Sequence, residues 1–145
     1  MVALAETFYY DLLLRLMDAF KQNNEAEIAA ISQEVGKFSC SLLEKDLFLE
    51  EFQGFVKQAN VKTRDGENRR KALLAFFKAM PQDEFNRLLV LLPDAIIQRI
   101  FNLCDRTDFL ELFRGIIDNE LSKIIGENPA KTILIMIKNR SKEEG

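Results

Sequence analysis

Along this 145-residue chain the apolar positions recur mostly at helical spacing. Between residues 4 and 22, Phe8, Leu12, Leu16 and Phe20 fall four apart, and Tyr9, Leu13 and Met17 form an adjacent row. Positions three and four apart share one face of a helix, so this is a wide apolar stripe that needs covering. Asn23-Asn24 interrupts it. Asn24 suits the N-cap of a second helix, and Glu25 and Glu27 sit where the helix dipole favours acids. Ile28, Ile31 and Val35 carry that helix to a stop at Gly36. Ser41-Leu-Leu-Glu44 fits a capping box. After it, Leu43, Leu47, Phe48, Phe52, Phe55 and Val56 repeat helically. Asp65-Gly66 reads as a turn, with a helix from about Glu67 to Met80 containing Leu73, Leu74, Phe76 and Phe77.

Beyond Met80 the punctuation is denser. A residue before proline avoids helical angles, so Met80-Pro81 marks a boundary, and Pro81-Gln-Asp-Glu has the proline and acids of a helix start. Leu92-Pro93-Asp94 repeats the signal, and Asp105 or Thr107 can cap a further helix. Asn128-Pro129 is the clearest start, with Asn as cap and Pro at the first helical position. The run Thr132–Ile137 is β-branched enough for a strand, yet a lone strand would leave its backbone unpaired, so it too is assigned to helix. The blocks QDEFNRLLVLLP, DAIIQRIFNLCD and TDFLELFRGIID, between residues 82 and 118, match in length and polarity only. Their pattern is similar to the short helices of armadillo-like or flagellar-motor-switch arrays, without a motif that would assign a family.

The expected fold is therefore all-α: a compact bundle of about eight helices. The helices are longer in the first half, and short and array-like in the second. One domain is expected over residues 1–139, with a flexible tail at 140–145.

Composition sharpens this picture in three places. Six glycines and three prolines leave little turn chemistry for hairpins. Cys40 and Cys104 have neither metal nor redox spacing and read as reduced core residues. The start, MVALAETFYYDLLL, lacks a basic leader and holds Glu6 and Asp11, and the apolar runs 88–93 and 133–137 are far short of the ~20 residues a membrane span needs. A soluble, cytoplasmic protein with no membrane contact is the expectation.

Charge changes the picture more. The total is -3, but residues 1–56 hold four basic and ten acidic groups, residues 57–78 seven and two, and residues 79–145 nine and eleven. A basic island, Lys57, Lys62, Arg64, Arg69, Arg70, Lys71 and Lys78, thus lies between acidic flanks. One reading is a solvated loop and helix start, since consecutive Arg69, Arg70 and Lys71 fan around a helix instead of aiming at one target; yet cations crowded at a helix start oppose its dipole, a local misfit that suggests a role. Phosphates are one possible target, with Phe52 or Phe55 stacking on bases. An acidic protein surface is the other, including the acidic first half of a second copy in a homo-oligomer.

Catalytic chemistry is sparse. Without histidine the commonest general base, the usual zinc ligand and the Ser-His and Cys-His pairs are missing. No glycine-rich phosphate loop occurs. Asp46 with Glu50 and Asp108 with Glu111 share helix faces, but helices carry such pairs routinely on solvated surfaces. The expectation is a protein without catalytic residues, cofactor or metal: an adaptor or regulatory module that binds protein, its own copies included. The expected contacts are the basic residues Lys62, Arg64, Arg69, Arg70 and Lys71, together with apolar faces formed by Phe8, Tyr9, Leu12 and Leu13 and by Leu110, Phe113, Ile116 and Ile117. The alternative is a small nucleic-acid-associated helical protein using segment 57–78.

Overall fold

A computed structural model describes residues 2–39, 45–119 and 128–144, and all regular structure among them is helical. The helices are α1 (Val2–Lys21), α2 (Glu25–Val35), α3 (Lys45–Ala59), α4 (Arg64–Ala79), α5 (Gln82–Leu91), α6 (Asp94–Leu103), α7 (Arg106–Asn119) and α8 (Asn128–Glu144). The expected all-α class holds; α5 and α6 are short as expected, at 10 residues each, but α8, at 17, is longer than α2, α3 and α4. The Ser41–Glu44 capping box and Cys40 lie outside the described residues. None of the described helices is long and apolar enough to cross a membrane.

The chain divides into two units, Met1–Pro81 and Gln82–Gly145. In the first, α1 packs against α2, α3 and α4, and α4 also meets α2 and α3. The broad α1 stripe is needed for this: Tyr9, Leu12, Leu13, Leu16 and Met17 are all buried. Tyr9 packs tilted against Phe38 at 4.6 Å between ring centres, and Phe38 meets Phe76 edge-on at 5.8 Å, as Phe52 meets Phe77 at 5.9 Å. The Tyr9 hydroxyl donates to the Lys37 carbonyl at 3.2 Å, which satisfies the one polar atom this ring brings into the core.

Local chemistry sets the ends of these helices. After α1, Asn24 N–H donates to Ala19 C=O and Asn23 N–H to Phe20 C=O, while Asn23 takes φ 53°. That is a Schellman stop, with asparagine in the left-handed position usually held by glycine. Asn24 then caps α2, its side chain accepting from Glu27 N–H at 3.2 Å. Met80 is extended (φ -66°, ψ 149°), as its place before Pro81 requires.

In the second unit, α8 packs against α5, α6 and α7. Phe85, Phe101, Phe109 and Phe113 form one aromatic cluster whose paired ring centres lie 5.0–5.8 Å apart. Asp105 caps α7: its carboxylate accepts from Asp108 N–H at 2.8 Å, and Asp108 reaches back to accept from Asp105 N–H at 3.3 Å. The β-branched run 132–137 is helical. Ile133 and Ile137, four apart, are buried, while Ile135 between them is 58% exposed.

Two boundaries differ from expectation, and a third, at Gly36, falls where expected for another reason. Asp65-Gly66 is the first turn of α4 rather than a loop, because Thr63 caps one turn earlier and accepts from Gly66 N–H at 3.0 Å. Gly66 is needed there for space: a Cβ would sit 2.0 Å from the Val61 carbonyl oxygen. Gly36 ends α2 with right-handed angles (φ -59°), so its conformational freedom is not what stops the helix. The chain stays helical through Glu144 instead of loosening at residue 140. Arg140 in α8 donates to the Cys104 carbonyl at 3.0 Å and lies over the Phe109 ring, which ties this last stretch to the body of the unit.

Candidate functional site

Four of the apolar residues expected to meet a partner are core instead. Tyr9 is 4% exposed, and Leu12, Leu13 and Phe113 are fully buried. Four-residue spacing marks the covered side of a helix, and in both units the chain supplies its own cover. Leu110 is half-buried. The side chains of Phe8, Ile116 and Ile117 lie outside the described residues.

Of the two carboxylate pairs, Asp108 with Glu111 forms no metal-binding group among the described residues. Asp108 is occupied with the α7 cap and Glu111 is exposed. Asp46 lies among side chains not described. Among the described residues no three Asp, Glu or Cys side chains converge as metal ligands would. Cys104 is a free, buried thiol, its Sγ 3.4 Å from the Ile100 carbonyl. It packs as the small apolar residue it was expected to be.

The basic island is where the structure adds most, because it sorts the cations into two groups. Arg69 donates through Nε to Asp65 at 3.1 Å and lies over the Phe55 ring, 4.9 Å from its centre. Arg70 pairs with Glu67 at 3.2 Å. Both arginines are half-buried along α4 and have an acid within one turn. Lys57, Lys62, Arg64 and Lys71 are exposed, and no described ion pair engages them. Arg64 and Lys71 are seven residues apart, two turns of helix, so they point the same way about 10.5 Å apart. The misfit of cations at the α4 start is eased from within, since Asp65 and Glu67 occupy its first turn and Lys57 sits in the last turn of α3, where the dipole favours it.

The corner between α3 and α4 presents these cations on a fixed backbone. Asn60 donates through its side chain to the Val56 carbonyl at 2.9 Å, Val61 N–H donates to Gln58 C=O, and Thr63 N–H to Val61 C=O. The Val61 carbonyl is pressed onto the bare Cα of Gly66. At the tip, the Val61 side chain is 47% exposed. The corner is therefore an apolar knob set among Lys57, Lys62 and Arg64. The sequence held one signal for Val61 that went unused: positions 57, 58, 64 and 65, three and four residues away, are all polar, so this valine belongs to no helical stripe.

Tyr10 lies near Arg69. Its ring meets Phe55 edge-on at 6.3 Å. Burial pushes its hydroxyl above the ordinary phenol value of 10.0, nearby Glu51 adds to the rise, and Arg69 opposes it. Phe52 and Phe55, considered above as stacking platforms for bases, are 0% and 1% exposed and cannot receive one.

Comparison with protein-family models, with curated proteins and with solved structures gives no significant match.

Proposed function

We propose that the chain is a non-enzymatic protein-interaction module whose docking surface is the basic corner between α3 and α4. Lys57, Lys62, Arg64 and Lys71 supply the positive rim and Val61 the apolar centre. The observation that supports this most directly is the exposed Val61 held on a hydrogen-bonded corner among cations that no described acid neutralises. An apolar centre with a charged rim is how protein interfaces are commonly built, and the rim sets approach and orientation more than strength. The fitting partner is an acidic protein surface with a small apolar side chain at its middle.

The nucleic-acid reading is weaker, because the rings that would stack on bases are enclosed in the core. Fluorescence anisotropy separates the two. A labelled helical peptide rich in glutamate, with one leucine at its centre, is titrated at low and moderate salt beside a labelled DNA duplex and a labelled single strand. The peptide is expected to bind, and the triple variant Lys62→Glu/Arg64→Glu/Lys71→Glu to lose that binding. No peptide binding even at low salt overturns the proposal. Tighter binding of duplex or single strand than of peptide, abolished by the same variant, replaces it with the nucleic-acid reading.

A further inference from the structure

The described residues include three large apolar side chains that are clearly exposed: Leu14, Val61 and Ile135. Two of them, Leu14 and Val61, belong to the first unit, and they carry surroundings of opposite sign. Leu14 is 37% exposed on the outer stripe of α1. That stripe runs Asp11, Leu14, Arg15, Asp18, all exposed, so an aspartate stands about one turn to either side of Leu14. Arg15 does not cancel them. Its guanidinium is drawn toward α2, 3.0 Å from Glu27 and 3.5 Å from Glu34, and those two acids absorb its charge. Asp11 and Asp18 enter no described ion pair. The stripe is thus an apolar side chain in a negative rim, and the α3–α4 corner is an apolar side chain in a positive one.

We infer that the partner of the basic corner is a second copy of this chain, docking the Asp11–Leu14–Asp18 stripe of α1. This rests on the reading of the basic corner as a docking surface and names its occupant. Leu14 meets Val61, and Asp11 and Asp18 face Lys57, Lys62 and Arg64. One apolar side chain from each copy gives the contact little hydrophobic area, so charge carries most of it. The association is then weak, favoured by high protein concentration and suppressed by salt, because exposed charges are screened beyond about 8 Å at physiological ionic strength against about 30 Å at 0.01 M.

The test is sedimentation velocity over a concentration series at low and at moderate salt. It uses the wild type, Asp11→Asn/Asp18→Asn, Lys62→Gln/Arg64→Gln, and an equal mixture of the two variants. All four substituted side chains are exposed, and circular dichroism confirms that each variant is folded. The wild type is expected to sediment faster as concentration rises at low salt and to lose this dependence at moderate salt. Each variant alone is expected to associate about tenfold more weakly, the loss of two exposed charge pairs. The mixture is expected to recover association, since one variant keeps the acidic stripe and the other the basic corner. A wild type that stays monomeric at low salt overturns self-docking, as do variants that associate as well as the wild type or a mixture no better than its components. The glutamate-rich peptide, run in parallel, distinguishes the levels: peptide binding by a monomeric wild type leaves the basic corner standing and removes only the second copy, while loss of both removes the corner as well.

Discussion

In the first unit, Tyr9, Phe38 and Phe76 make one line of rings, Phe52 meets Phe77 and Tyr10 meets Phe55, so the described aromatic contacts run through α1, α3 and α4. In the second, Phe85, Phe101, Phe109 and Phe113 meet in one cluster contributed by α5, α6 and α7, and Phe113 touches the other three. The charged groups differ as well. The second unit turns several inward or onto its own backbone: Arg140 onto the Cys104 carbonyl, Asp108 into the α7 cap. The first unit ties up Arg15, Arg69 and Arg70 and leaves Asp11 and Asp18 on one face and Lys62, Arg64 and Lys71 on another. A core concentrated in a few helix–helix contacts makes single side chains decisive for stability, whereas separated surface charge is the raw material of recognition.

The largest effect that can break this comparison is Phe113→Ala. Truncating a fully buried phenylalanine costs about 3–5 kcal/mol, and here it removes the ring shared by three contacts. The chain has no tryptophan, and both tyrosines lie in the first unit. Tyrosine fluorescence therefore reports on residues 1–81 while far-ultraviolet dichroism reports on both units. In urea, Phe113→Ala is expected to show an early loss of helix with the tyrosine transition unmoved. Coincident shifts of both signals would show that the units fold as one.

Gly66→Ala comes next, with a loss of about 2–3 kcal/mol by the strain of overpacking, because the added methyl meets backbone at 2.0 Å. Gly54→Ala is its opposite. Nothing lies within 4 Å of that Cβ, so replacing glycine in mid-helix is expected to add about 0.5–1 kcal/mol. Chemical denaturation of the two variants reads both signs. Asp105→Ala, which deletes the α7 cap, is expected to cost about 1 kcal/mol and to move only the transition of the second unit.

The smallest effect is at alkaline pH. The Tyr10 hydroxyl ionises above the ordinary phenol value of 10.0 in the folded chain because burial disfavours the phenolate, with Glu51 adding to the effect. Between the two values the folded state holds more protons than the unfolded one, so this contribution is present below pH 10 and falls as pH rises through the folded value. Tyr10→Phe is expected to flatten that part of the stability profile. Phenolate absorbance in a Tyr9→Phe background, titrated folded and in urea, checks the direction: a folded midpoint at or below the unfolded one would contradict it.

How much of this was legible in advance depends on what kind of property is asked about. Helix boundaries set by neighbours in sequence were readable: the Asn24 cap, the break at Met80-Pro81, the Asp105 cap. The α4 start was misplaced because Asp-Gly is turn chemistry in isolation, and the reason for glycine at position 66, the Val61 carbonyl above it, comes from the preceding chain folding back. The apolar faces are legible as faces but not in what covers them, since a stripe such as Tyr9, Leu12 and Leu13, here buried, has the same pattern whether its cover is another helix of the chain or a partner. Similarly, seven cations within residues 57–78 were countable, but the division of Arg69 and Arg70 from Arg64 and Lys71 was not.

The amino-acid order by itself determined that this chain is helical, where most of its helices begin and end, and which side chains each must hide, because those follow from periodicities and caps acting over a few residues. Tertiary packing decided which faces are covered and which charges remain in solvent. Burial and ion pairing are relations between segments: Arg15 is neutralised by glutamates on α2, Phe55 is closed off beneath Arg69, and among the described residues of the first unit Leu14 and Val61 are left exposed.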